Sequence, residues 1–167
     1  MGRTGEQAPA FTLDSTSGDA VTATDVVEDG PAILLFNRGH WCSFCIEQLR
    51  TYEAVAESLR DKFATTVHPI LGDPLDELAE MRSKHGFSFE LLSDSDLTVS
   101  RTYTGVEDND AYGAIPIPGT FILDGEGIIR YEHVATRPDD RTYGNFARYF
   151  IKKGFEDPYP GTYPDPY

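Results

Sequence analysis

The chain carries two cysteines, Cys42 and Cys45, directly after Trp41 in the run Trp41-Cys42-Ser43-Phe44-Cys45. The run stands where an apolar strand ends and an amphipathic helix begins. A cysteine at a helix start faces free N–H groups and the positive end of the helix dipole. Both favour the thiolate, which lowers the thiol's pKa and makes it a nucleophile at neutral pH. A second cysteine three residues on lies one turn up the same face. It can attack a mixed disulfide on the first sulfur and close a short ring. Cys42 is therefore expected to be the exposed attacking thiol and Cys45 the more buried resolving thiol. Trp41 is expected to shield one side of the site.

Other uses of the pair fit less well. A structural zinc site needs four ligands, and the remaining soft donors, His40, His68, His85 and His133, are scattered along the chain. No metal site is expected. Attachment of c-type haem requires His directly after the second cysteine, where Ile46 stands. Two inert buried cysteines are the plain structural alternative.

The elements that must position the pair follow from periodicity. Ala32 to Asn37 is a continuous apolar run after Gly30-Pro31, the pattern of a central strand covered on both faces. Leu49, Tyr52, Val55, Ala56 and Leu59 then recur at helical spacing. Upstream, Ala10 to Leu13 and Ala20 to Thr24 read as edge strands around a turn at Ser15 to Asp19. Thr66 to Leu71 is the next strand. Asp73-Pro74 is expected to cap a helix that Gly86 stops. Phe89 to Leu92 is a short strand, and Asp94 or Ser95 is expected to cap a helix through Tyr103. Thr120 to Asp124 and Ile128 to Tyr131 flank Asp124-Gly125-Glu126-Gly127, a tight hairpin. Asp139-Asp140 is expected to open a last helix that ends near Gly154.

Alternating strands and helices followed by a hairpin predict an α/β layer fold with a mixed sheet. The predicted domain covers residues 1–154. Residues 155–167 hold four prolines and three tyrosines and read as a separate tail. The tail either lies extended or docks its tyrosines on a second subunit, as a homodimer.

Ile115-Pro116-Ile117-Pro118-Gly119-Thr120 is the second informative segment. Two prolines directly before a buried strand predict a fixed backbone turn, with Ile117–Pro118 cis. Such a turn is expected to face Cys42 and to offer a peptide edge to an incoming disulfide-bearing chain.

Composition bounds the partners. Asp and Glu number 28 against 14 Lys and Arg, for a formal charge of −14. That field repels phosphate backbones and anionic lipids, so nucleic acid and membrane are poor partners. The N-terminal residues show no apolar signal segment, and the longest apolar run is far too short to span a bilayer. A cytoplasmic protein is the expectation. Nothing in Ala32 to Phe36 is acidic, and Glu47 is expected to face solvent.

Several segments together resemble a known family. Trp41-Cys42-x-x-Cys45 after the first central strand and a later Pro118-x-Thr120-Phe121 strand are similar to the thioredoxin fold. Gln7 to Leu13 and Thr120 to Arg130 resemble the peroxiredoxins of the AhpC/TSA family, and Phe36 to Cys45 resembles their Cys-x-x-Cys branch. The similarity spans roughly Ala8 to Val134.

The resemblance implies a thioredoxin-like fold, a central mixed sheet flanked by helices, with a peroxiredoxin-type N-terminal extension. It implies reduction of disulfides or peroxides by Cys42 and Cys45, an external thiol reductant and no cofactor. Trp41, Arg38, Pro118 and Thr120 take supporting or substrate-binding places. A redox-inert module that binds a partner through its tail or acidic surface is the alternative.

The chain also departs from the family. Peroxiredoxins place Thr or Ser three residues before the reactive cysteine and Pro seven before, where this chain has Gly39 and Leu35. They place an arginine near the later strand, where Pro118-Gly119 stands. With those groups missing, disulfides are expected to be better substrates than peroxides, and Arg38 is the nearest substitute guanidinium.

Overall fold

The computed structural model describes residues 2–156. Among them, nine strands and five helices follow in the order β1 (Thr12–Ser15), β2 (Ala20–Thr22), α1 (Ala23–Val26), β3 (Ala32–Asn37), α2 (Ser43–Phe63), β4 (Thr66–Leu71) and α3 (Leu75–His85). Then come β5 (Leu92–Ser93), α4 (Thr98–Tyr103), β6 (Val106–Asn109), β7 (Gly113–Pro116), β8 (Gly119–Leu123), β9 (Ile129–Val134) and α5 (Gly144–Lys152). Seven strands form one mixed sheet in the order β2-β1-β5-β4-β3-β8-β9, and β6 and β7 form a separate hairpin.

The apolar run Ala32–Asn37 is the centre of the sheet. β3 pairs in parallel with β4 and antiparallel with β8, and all six of its residues are buried. Side chains alternate across a strand. Ile33 and Leu35 enter the core layer beneath α2, with Leu49, Tyr52, Leu59, Ala147 and Phe150. Leu34 and Phe36 enter the opposite layer, with Phe11, Leu13, Tyr103 and Phe121. The unbroken apolar run is the sequence imprint of this double coverage.

Three local expectations are corrected. Asp73 does not cap α3. Pro74 holds that position without a side-chain cap, while Asp73 accepts from the backbone N–H of His40 at 2.8 Å and from its Nδ1 at 2.8 Å. Nor do Asp139-Asp140 open the last helix, which begins at Gly144 after a buried stretch, Arg141-Thr142. Finally, no peptide bond among the described residues is cis, so Ile117–Pro118 is trans.

The two prolines instead mark where the chain passes from hairpin β6–β7 into the main sheet. Ile117 donates its N–H to Gly105 O at 3.0 Å, and Pro118 O accepts from Ala135 at 2.8 Å. Both of these groups are tied internally, so neither is free to pair with an incoming chain. Asp94 does act at the start of α4, accepting from the N–H groups of Val99 and Ser100 at 3.2 and 2.6 Å.

The tail tyrosines Tyr159, Tyr163 and Tyr167 lie outside the described residues. Phe155, at the start of that segment, packs edge-on against Phe150 of α5. Among the described residues, no helix is long and apolar enough to cross a membrane.

Candidate active site

Cys42 is the N-cap of α2. Its backbone is extended, and its sulfur accepts from the Cys45 N–H at 3.3 Å, satisfying one of the helix's free donors. Cys45 sits one turn in and is fully buried, and Cys42 is only 2% exposed. The expectation of an exposed attacking thiol is therefore corrected: both sulfurs lie beneath the surface, Cys42 the nearer to it. The Cys45 sulfur also accepts from the backbone N–H of Arg38 at 3.4 Å.

The group that dominates the site is one the sequence reading passed over. Arg141 is buried and points its Nη2 at both sulfurs, 3.7 Å from Cys42 Sγ and 3.4 Å from Cys45 Sγ. Its Nη1 donates to Asn37 Oδ1 at 2.8 Å and Gln48 Oε1 at 3.1 Å, and its Nε donates to Pro138 O at 2.8 Å. Its oxygen partners here are neutral amides. The sulfurs are thus the only groups among these partners able to carry the charge that balances the guanidinium.

The surrounding polar side chains explain how a loop reaches this depth. Gln48 Nε2 and Tyr52 Oη both donate to Thr142 O, at 2.9 and 3.0 Å, and Gly144 donates its N–H to Thr51 Oγ1 at 2.9 Å. The stretch 141–144 is thereby stitched along α2. A signal for this was present. Gln48 shares the buried stripe of Cys45, Leu49 and Tyr52 at spacings of three, four and seven. A buried glutamine demands partners.

This setting separates the two thiols. The Cys45 thiol beside it, its N–H, and the guanidinium groups of Arg141 and Arg38 hold the Cys42 thiol down at about 5, against the opposing effect of burial. Burial and the neighbouring Cys42 push Cys45 well up. Cys42 is thereby favoured as the thiolate and Cys45 as the thiol.

The other expected residues are placed as follows. The Arg38 guanidinium lies over the Trp41 ring at 5.0 Å and pairs with Glu107 of β6 at 3.8 Å. It acts on Cys42 through charge, without a hydrogen bond to sulfur among the described contacts. Trp41 stacks face to face on Tyr112, from the hairpin turn, at 3.8 Å. Thr120, in β8, is buried opposite Leu35. Pro118 bounds β8, and Glu47 is exposed, as expected.

Residues 4–132 match the family model described as AhpC/TSA family. The chain belongs to the AhpC/TSA family. It is 28% identical over 132 residues to the thioredoxin-like protein YneN of Bacillus subtilis, covering 79% of this chain and 72% of YneN. It is 29% identical over 127 residues to the chloroplastic peroxiredoxin Q of Oryza sativa subsp. japonica, covering 76% of this chain and 57% of that protein. The crystal structure of peroxidoxin BcpB from Mycobacterium tuberculosis superposes with a TM-score of 0.78 at 20% identity, over 90% of this chain and 97% of BcpB. That likeness shows the thioredoxin-like fold of AhpC/TSA proteins. Arg141 lies beyond the stretch that matches the family model.

Proposed function

We propose that the chain is a thiol-dependent oxidoreductase in which Cys42 is the nucleophile and Cys45 resolves. The observation that carries this is the Cys42–Cys45 pair at the head of α2 with Arg141 against both sulfurs. Relatives named as peroxiredoxins and as thiol-disulfide oxidoreductases support the class.

With a hydroperoxide, the Cys42 thiolate attacks one peroxide oxygen. An S–O bond forms, the O–O bond breaks, and the leaving oxygen takes up a proton from solvent and departs as water or an alcohol. Cys42 is then a sulfenic acid, oxidised by two electrons. Cys45 loses its proton and attacks that sulfur, an S–S bond forms and water leaves. An external dithiol returns the pair to the reduced state by exchange. With a disulfide substrate, the first attack is on sulfur and the mixed disulfide is resolved in the same way.

A preference for the peroxide over the disulfide is part of this proposal, in place of the one expected from Gly39 and Leu35. The sulfurs are buried, which suits a small oxidant, and at the Pro118 bend the Ile117 N–H and the Pro118 carbonyl are already paired within the chain. A guanidinium is present after all, from Arg141 rather than Arg38. Donors aimed at the reacting oxygens are worth about 10²–10³ in rate. The cytoplasmic setting and a homodimer through the tail tyrosines stand as parts of this proposal, the second read by sedimentation with and without residues 155–167.

Cysteine substitutions test the assignment. Cys42→Ser should abolish peroxide and disulfide reduction. Cys45→Ser should leave one fast oxidation and trap Cys42 as a sulfenic acid or mixed disulfide. The Cys45 sulfur receives the closer Arg141 contact, so the opposite outcome, activity in Cys42→Ser and trapping at Cys45, would reverse the roles. Slow labelling of both thiols in the native protein would favour the redox-inert alternative.

A further inference from the structure

We infer that Asp140 is a positioning residue: by latching the 136–141 turn onto His133 of β9, it holds the Arg141 guanidinium against the two sulfurs. The inference rests on the reading of Cys42 and Cys45 as a redox dithiol.

After β9 the chain leaves the sheet at Ala135, and residues 136–138 are exposed. Three residues later Arg141 and Thr142 are buried. The Asp140 carboxylate closes this excursion. One oxygen accepts from His133 Nε2 at 2.7 Å. The other accepts from the Thr136 N–H at 2.9 Å and its hydroxyl at 3.2 Å. The Asp140 N–H donates to Arg137 O at 3.1 Å, completing the turn.

The turn bears directly on Arg141, because the Arg141 Nε donates to Pro138 O inside it at 2.8 Å. Downstream, α2 holds Thr142 through Gln48 and Tyr52. Upstream, Asp140 ties the turn to the sheet. A long arginine stem has many rotamers, and its planar fork is useful only when both ends of its backbone are set. Without the latch, Pro138 O and the guanidinium lose their common frame, and the donors drift from sulfur.

The sign of the effect separates positioning from plain electrostatics. Asp140 carries a negative charge, so deleting it by Coulomb's law alone would ease ionisation of Cys42. Releasing Arg141 would hinder it. The charged and titratable groups acting on Cys42 are Cys45, Arg141 and Arg38, and Arg141 is the one that the latch controls.

The test follows the far-ultraviolet thiolate absorbance of the reduced full chain against pH, with circular dichroism to confirm folding. In Asp140→Ala the thiolate midpoint should move up and the stopped-flow rate with hydrogen peroxide should fall about tenfold. Asp140→Asn, which keeps an acceptor oxygen, should recover much of both. In an Arg141→Met background, Asp140→Ala should change neither further, because the two residues act as one unit. His133→Ala removes the other half of the latch and should repeat the upward shift if Asp140→Ala does not fold. A midpoint unchanged or lowered in Asp140→Ala, or an equal upward shift without Arg141, would overturn the inference. A wild-type midpoint in the ordinary cysteine range would instead defeat the dithiol reading itself.

Discussion

At the scale of single residues, the site is a problem in placing one negative charge. A buried thiolate is costly unless donors surround it. Here the Cys45 thiol and N–H and the Arg141 guanidinium surround the Cys42 sulfur. The rate of oxidation by hydrogen peroxide should therefore rise through about pH 5 and stay level at higher pH until other groups titrate. A profile still rising through pH 8 would show that Cys42 keeps an ordinary thiol pKa. Arg141→Met should shift that midpoint upward and slow the reaction by about 10²-fold. Arg38→Ala should do much less, since the Arg38 guanidinium acts on Cys42 from beside Trp41 without bonding to sulfur in the contacts described, and the substitution keeps the Arg38 backbone N–H on Cys45. A larger loss in Arg38→Ala than in Arg141→Met would return the role to the residue the sequence pointed to.

At the scale of elements, short ties between loops set where α2 begins. His40, two residues before the N-cap, is bound through its backbone and ring to Asp73 at the foot of α3. The Asp73 hydrogen bond and charge raise the His40 pKa above 6.5, with Glu77 and Glu80 adding to it. The folded state thus holds this proton more tightly than the unfolded chain. The pair's stabilisation is complete below the ordinary histidine pKa and is lost as pH rises through the elevated one. The melting temperature should fall across that window in the wild type and more shallowly in His40→Ala. Equal slopes would mean that the exposed imidazole is solvated rather than paired.

Two effects belong to the molecule as a whole. The formal charge of −14 implies self-repulsion that salt screens. The melting temperature should rise from low to moderate sodium chloride, and a flat response would mean the charges are too dispersed to matter. The second effect couples chemistry to stability. Forming the Cys42–Cys45 disulfide removes the thiolate and leaves Arg141 buried among neutral partners. An uncompensated buried charge costs several kcal/mol. Amide exchange in residues 136–143 should accordingly be faster in the oxidised than in the reduced protein. Equal protection in both states would show that the thiolate charge does not hold the segment in place.

What the chain determines locally was open to reading. The period of apolar residues specified β3 and α2, because a strand covered on both faces must be apolar throughout and a helix on a sheet needs one stripe. Cys42 and Cys45 fell at their junction, and their spacing defined the chemistry. Segments around Gln7 and Thr120 carried the family. The hairpin β6–β7 escaped notice because its acidic and polar residues, Glu107, Asp108 and Asn109, show no apolar alternation. Asp73 and Asp140 look like helix caps in the sequence, since an aspartate before a helical pattern is a common cap. Which N–H or imidazole a carboxylate meets, however, is settled by elements packed from elsewhere. Arg141 is the clearest case. It stands 99 residues from Cys42, in a loop with no motif of its own. Its guanidinium reaches the sulfurs only once β9 pairs with β8 and α5 docks on α2. Spacing along the chain can announce a dithiol, but the charge that governs it comes from a contact made in three dimensions alone.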